Sequence, residues 1–198
     1  VPGADGIAIE ETLDALSELV DEGLVKHVGL SNETSWGVME YLRLAAERGL
    51  AKVVSIQNVY NLLSRQFETG LAEMAIREEV GLLAYSPLAF GTLSGKYIGG
   101  KKPPGSRLAL FERFARYGSP QSAAATEAYK EIADKHSISL AQMSLAFVCQ
   151  QPFVTSNLIG ATNMQQLSEN IEAVNITLSE EVLAEIEAIH NQYPDPAP

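Results

Sequence analysis

The residues best equipped for chemistry in this sequence stand at or near the ends of short apolar runs. Ser31 and Asn32 close VKHVGLSN, Gln57 and Asn58 lie late in KVVSIQNVYN, Tyr85 and Ser86 interrupt GLLAYSPL, and Gly160, Ala161 and Thr162 end SNLIGAT. Hydroxyl and amide groups donate and accept hydrogen bonds, so Ser31, Asn32 and Gln57 can meet a planar polar group such as a carboxamide. Tyr85 offers a flat face for stacking. The stretch that contains it, AYSPLAFGTLSGKY (residues 84–97), runs through small residues to Lys96. Small residues let main-chain N–H groups come close to phosphate oxygens, and a lysine adds charge. A plainer reading stands beside each: Ser31 and Asn32 suit strand ends and helix caps, and a tyrosine at a strand end is commonly core.

Such residues act together only if the fold gathers them. Ile9, Leu13, Leu16, Leu19 and Val20 recur at three- and four-residue spacing, which predicts an amphipathic helix over Ile9–Glu22, stopped by Gly23. Strand 25–32 follows, then a helix over Ser35–Arg48 ended by Gly49, strand 52–61, helix 67–79 and strand 81–88. Beyond an irregular stretch come helices 122–135 and 140–150, a fourth strand over 156–162, and helices 163–174 and 179–191. The strands are short continuous apolar runs alternating with helices, and the first three recur about every 27 residues, the spacing of βα units in a parallel sheet. A doubly wound dinucleotide fold would carry G-x-G-x-x-G after its first strand, and none is present. The pattern favours a (β/α)₈ TIM barrel, in which chemistry sits where each strand meets its following loop. This chain would supply about four of the eight βα units.

A long segment, residues 90–121, departs from the repeat. It is rich in Gly and Pro and holds Lys96, Lys101, Lys102, Arg107, Arg113 and Arg116 out of 14 basic residues. In a chain of net charge -11 it is the expected local positive patch, against the plainer reading of a solvated loop. The acidic balance argues against a nucleic-acid partner or an anionic lipid surface, and no window approaches the roughly 18–20 apolar residues of a membrane span. Cys149 is the one cysteine, expected in the core of an apolar helix, and a cytoplasmic setting follows from the lack of an intrachain disulfide.

Taken in order, VGLSN, SIQNVYN, AYSPLAFGTLSGKY with the following Ser106-Arg107, and LIGATNMQQLSEN resemble the aldo-keto reductases. The likeness is to the C-terminal half of that family, in the branch holding Tas-like bacterial reductases and the β-subunits of voltage-gated potassium channels. It runs from about residue 9 to 191. It implies a reductase-type barrel that binds NADP(H) and reduces a small-molecule carbonyl, an aldehyde or ketone. It assigns Ser31, Asn32 and Gln57 to the nicotinamide carboxamide and Tyr85 to stacking on its ring. Ser86, Leu88 and Gly91 fall to the pyrophosphate, Lys96 and Arg107 to phosphate charge, and Gly160, Thr162, Gln166, Glu169 and Asn170 to the adenosine side. Many relatives carry a lysine and an arginine where this sequence has Gly160 and Gln166, so recognition of the ribose phosphate would rest on Lys96 and Arg107.

The family's catalytic Asp, Tyr, Lys and His belong to its N-terminal half, and no catalytic residue is assigned here. His27 sits at the wrong end of a strand, while His136 and His190 read as helix-end surface residues. Tyr60 lacks a lysine or histidine partner and is expected at most in the wall of a substrate pocket; Trp36 is expected to pack or to line its rim. No His, Cys or carboxylate set has metal-ligand spacing along the chain. Val1-Pro2-Gly3-Ala4-Asp5-Gly6 reads as the middle of a loop, and four strands are half a barrel with two open edges. The expectation is therefore that residues 1–198 are the C-terminal half of one barrel domain, with 90–121 as its cofactor strap and the missing N-terminal half as partner. The alternative is a dinucleotide-holding or regulatory module of the channel-subunit type.

Overall fold

The computed structural model describes residues 6–111 and 116–197. It contains strands β1 (Val28–Ser31), β2 (Val53–Val59), β3 (Gly81–Tyr85) and β4 (Val154–Leu158) in a sheet of order β1-β2-β3-β4. β1 and β2 are parallel, with Ser31 opposite Gln57. Sequence neighbours are sheet neighbours throughout, with no reversal of order. A doubly wound sheet reverses at its switch point, whereas a run of barrel strands does not. The architecture is α/β, as the alternation predicts.

The chain divides into two compact units. The first comprises the described residues up to Asn58 together with Phe67–Leu83. Its helix α1 (Ile9–Asp21) turns Leu13 inward, where Leu13 clusters with Val28, Tyr41, Leu44, Ala45 and Val53. Leu19 lies off this stripe and is exposed. Ser17 donates to the Leu13 carbonyl and accepts from the Ala51 amide, at 2.8 and 3.0 Å, so the one buried hydroxyl on that face is satisfied. Helix α2 (Ser35–Arg48) starts at Thr34, whose hydroxyl accepts from the Gly37 amide at 3.1 Å. It ends at Gly49, whose φ of 68° is cheap only for glycine. Helix α3 is shorter than its sequence suggests, Leu71–Arg77, because residues 66–68 form a 3₁₀ turn around buried Phe67 and Gly70 turns left-handed before the helix begins.

The second unit comprises Val59–Gln66 and the described residues from Ala84 onward. Its long segment is not wholly irregular: 3₁₀ turns occupy Ala89–Ser94 and Ile98–Gly100, and α4 spans Arg107–Leu110. Helices α5 (Pro120–Lys135), α6 (Leu140–Cys149), α7 (Met164–Glu172) and α8 (Glu180–Gln192) follow, each with a Ser or Asn side chain capping its first turn. α6 is mostly apolar and buries every residue from Leu140 to Val148 except the half-buried Gln142, as suits a central helix. Tyr60 is fully buried here, stacked on Phe147 at 6.1 Å and edge-on to Phe153 at 5.2 Å. It is a core residue, not the wall of a substrate pocket. The C-terminal segment docks on this unit: the Ala197 amide donates to the Leu63 carbonyl, and Ser119 and Ser122 donate to that of Pro196.

Cys149 corrects a second expectation. As the last residue of α6 it is exposed, beside Asn157 of β4, in a shallow hollow shared with Ile159, Ile171 and Val174. Exposure persists along β4 and its neighbour α7, where Leu158, Ile159, Met164, Ile171 and Val174 all face outward. β4 ends the sheet on this side. No helix among the described residues is long and apolar enough to cross a membrane.

Candidate functional site

In the first unit, the parallel register sets Ser31 and Asn32 beside Gln57. The Ser31 hydroxyl and the Asn32 amide N–H both donate to the Gln57 carbonyl, each at 3.1 Å, and Asn32 Nδ2 donates to Ser31 Oγ at 3.3 Å. Asn32 holds a left-handed φ of 54°, a conformation that asparagine tolerates better than most residues. All three side chains stay exposed. Asn58 turns into the β1–α2 loop instead, donating to the Glu33 carbonyl at 3.3 Å. Trp36, on the first turn of α2, does not pack: it is 65% exposed.

The second unit builds a different surface from AYSPLAFGTLSGKY. Ser86, Ala89 and Phe90 have φ of 55°, 49° and 56°, followed by Gly91 at 93°. Three non-glycine residues in the left-handed region within five positions store strain that surrounding contacts must hold. Those contacts are visible. The Ser86 carbonyl accepts from the Ala89 amide at 2.8 Å and from Asn61 Nδ2 at 3.0 Å. Ala89 is wholly buried, and the Phe90 ring meets Tyr117 edge-on at 5.1 Å.

Both expected cations converge on this turn. Lys96 folds back so that a Cβ built on Gly91 would lie 2.7 Å from its Cε and Nζ. The Arg107 guanidinium sits 5.3 Å from the centroid of the Phe90 ring, within cation–π range. Lys101 and Lys102 are exposed, and Arg116 lies over Tyr117 at 5.9 Å. Arg113 falls outside the described residues. Tyr85 and Leu88 are half-buried at the start of the turn, and the Tyr85 carbonyl accepts from the Tyr60 amide at 3.4 Å.

The segment after β4 forms a third cluster, also in the second unit. Thr162 donates through its amide and hydroxyl to Gln166 Oε1, both at 3.0 Å, and Asn163 caps α7 through the Gln166 amide at 2.9 Å. Asn170 is buried and donates to the Gly160 carbonyl at 3.3 Å. Glu169 Oε1 accepts from Ser139 Oγ, tying α7 to the start of α6. These links fix the loop around Gly160 and Thr162 to α7.

Two residues that the sequence did not single out are central to the second unit. Asn61, 0% exposed, links Ser86 to Tyr117: Nδ2 donates to the Ser86 carbonyl and to Tyr117 Oη at 3.1 Å, and Oδ1 accepts from the Leu63 amide at 2.9 Å. Burial pushes the Tyr117 phenol above its ordinary value, against the opposing pull of the Asn61 hydrogen bond, so its hydroxyl keeps its proton. The available signal was an asparagine set inside the apolar run VYNLL.

Elsewhere in this unit, His136, Glu181 and Glu185 bring ligand-type atoms within 4.8 Å of one another, a grouping that spacing along the chain does not reveal. Lys135 Nζ already bridges the two carboxylates at 3.1 and 2.5 Å.

This arrangement, an α/β sheet of sequential strands with polar residues near their ends, is that of a run of barrel βα units. A family model described as Aldo/keto reductase family matches residues 2–191, and the chain belongs to that family. Within it, the chain falls in the Tas-like branch. It is 54% identical over 195 residues to Protein tas of Escherichia coli (strain K12), covering 98% of this chain and 56% of that protein. It is 35% identical over 188 residues to the L-glyceraldehyde 3-phosphate reductase of the same strain, covering 90% of this chain and 53% of that one. A probable voltage-gated potassium channel subunit beta of Oryza sativa subsp. japonica is 32% identical over 193 residues, covering 94% and 58%. The chain thus spans about half the length of these relatives.

Proposed function

We propose that this chain is the dinucleotide-holding half of an NADPH-dependent aldo-keto reductase that reduces an aldehyde or ketone. The observation that carries the reading is the convergence of Lys96 and Arg107 on Phe90 and Gly91, two cations gathered on one turn of an acidic chain, the charge that a dinucleotide's phosphates need. A glycine at φ 93° lets the Lys96 terminus fold close against its backbone, where a Cβ would lie 2.7 Å from Cε and Nζ. That fits a pyrophosphate.

When bound, a reduced nicotinamide supplies hydride to the carbonyl carbon. The residues here bind and orient. Tyr85 would stack on the ring, Ser31, Asn32 and Gln57 would take the carboxamide, and Ser86, Leu88, Gly91 and Lys96 would hold the pyrophosphate. Arg107 would take the ribose phosphate, and Gly160, Thr162, Gln166, Glu169 and Asn170 would hold the adenosine. In the full-length protein the proton for the carbonyl oxygen would come from a Tyr, tuned by a Lys and a His with an Asp nearby, in the N-terminal half of the same barrel domain, for which residues 90–121 would form the strap. The outward apolar residues along β4 and α7 support that half as the partner, since an open sheet end with exposed Leu158, Ile159 and Ile171 calls for cover. A cytoplasmic enzyme with no nucleic-acid partner is consistent with a lone cysteine and a net charge of -11.

The test is titration of the full-length protein with NADPH and NADH, followed by turnover with simple aldehydes and ketones. Tight NADPH binding with carbonyl-dependent consumption is expected; no binding of either dinucleotide would overturn the reading. Binding without consumption would favour a regulatory module instead, a reading to which the relative named as a potassium channel subunit lends weight.

A further inference from the structure

We infer that Asn61 and Tyr117 are positioning residues: together they hold the turn of residues 86–91 in the conformation that grips the dinucleotide, and so set how fast it is released. The inference rests on the dinucleotide reading above. Neither residue faces a ligand. Asn61 is 0% exposed and Tyr117 3% exposed, and both are held among buried neighbours of the second unit.

Besides the Leu63 amide and the Arg116 guanidinium, their side-chain connections run to the strained backbone. Asn61 grips the Ser86 carbonyl, the first left-handed residue of the turn, and shares a second hydrogen bond with Tyr117 Oη. Tyr117 presses its ring edge-on against Phe90, the third, at 5.1 Å. Phe90 in turn lies under Arg107 at 5.3 Å. The pair therefore clamps both ends of a strained segment, and the same ring that steadies Phe90 steadies the guanidinium above it. Strained non-glycine backbone persists only where neighbours over-determine it. Asn61 supplies that constraint from 25 residues before Ser86 and 56 residues before Tyr117.

Tyr117→Phe removes the hydroxyl and keeps the ring, leaving one Asn61 N–H buried without an acceptor; Asn61→Ala removes both links. The assay is stopped-flow release of NADPH and of NADH from the full-length protein, well below its unfolding temperature. Each variant should speed release of both dinucleotides about tenfold, by the same factor, since the turn serves the pyrophosphate they share. The double variant should be no faster than Asn61→Ala, because the two act in series. A purely structural role would lower the unfolding temperature and leave release from the folded protein unchanged, and wild-type release rates in Tyr117→Phe would overturn the inference even if Asn61→Ala fails to fold. A wild-type protein that binds neither dinucleotide would sink the functional reading and this inference with it; normal binding with unaltered variants would sink this inference alone.

Discussion

Replacing Arg107 by alanine tests cofactor choice at the point where the structure concentrates charge. The guanidinium is stationed over Phe90 and beside a turn whose other cation, Lys96, folds onto Gly91. The two have different reach: Lys96 lies against the backbone that would face the pyrophosphate, common to NADPH and NADH, whereas Arg107 is the candidate for the phosphate that only NADPH carries. A charge-assisted hydrogen bond contributes on the order of 1.5–3 kcal/mol, which corresponds to about a ten- to hundredfold change in affinity. Arg107→Ala should therefore weaken NADPH by that factor and leave NADH nearly unchanged, and Lys96→Ala should weaken both. The fork of an arginine matters, so Arg107→Lys should restore only part of the loss. Isothermal titration of wild type and the three variants of the full-length protein decides it. Equal affinities of wild type for the two dinucleotides, or an equal loss of both in Arg107→Ala, would refute the reasoning.

Three further outcomes are expected. Tyr85→Ala should raise the nicotinamide dinucleotide dissociation constant by about tenfold or more, since stacking on an aromatic is worth roughly 1–3 kcal/mol; an unchanged constant in a folded protein would make Tyr85 structural. Tyr60→Ala should cost about 3–5 kcal/mol in denaturant unfolding, because a fully buried ring between Phe147 and Phe153 is removed, and an intact stability with altered substrate KM would restore it to a pocket wall. Hydrogen bonding from Lys135, aided by His136, holds the Glu185 carboxyl below its ordinary range. Its contribution to stability is then present above the unfolded pKa and lost as pH falls through the lowered folded value. Lys135→Met should move the Glu185 midpoint upward in an NMR titration, and an unmoved midpoint would contradict this.

What could be read along the chain was local. Helix α2 was legible at both ends because Gly49 marks a stop that only local backbone chemistry requires. The four strands were legible but most of their ends were not: the windows 52–61, 81–88 and 156–162 contract or shift to Val53–Val59, Gly81–Tyr85 and Val154–Leu158, and Gln57 lies inside its strand. Errors arose where one pattern has two physical solutions. The window 67–79 has helical spacing, yet Phe67 is buried by a 3₁₀ turn and the helix waits for Gly70. Cys149 continues the apolar run of α6 but is its last residue, beside the exposed strand β4. Tyr60 sits next to polar strand-end residues, one position past β2, and is still fully buried, because Phe147 and Phe153, far along the chain, pack on its ring. Contacts such as Asn61 with Tyr117 join residues far apart in sequence and leave no periodic trace.

The most direct measurement is a crystal structure of the full-length protein with NADP bound. The account predicts the nicotinamide ring stacked on Tyr85, the pyrophosphate against the 86–91 turn and Lys96, the ribose phosphate within hydrogen-bond distance of Arg107, and the adenine at Glu169 and Asn170. A dinucleotide bound away from Tyr85 and Arg107, or an Arg107 that meets no phosphate, would contradict it.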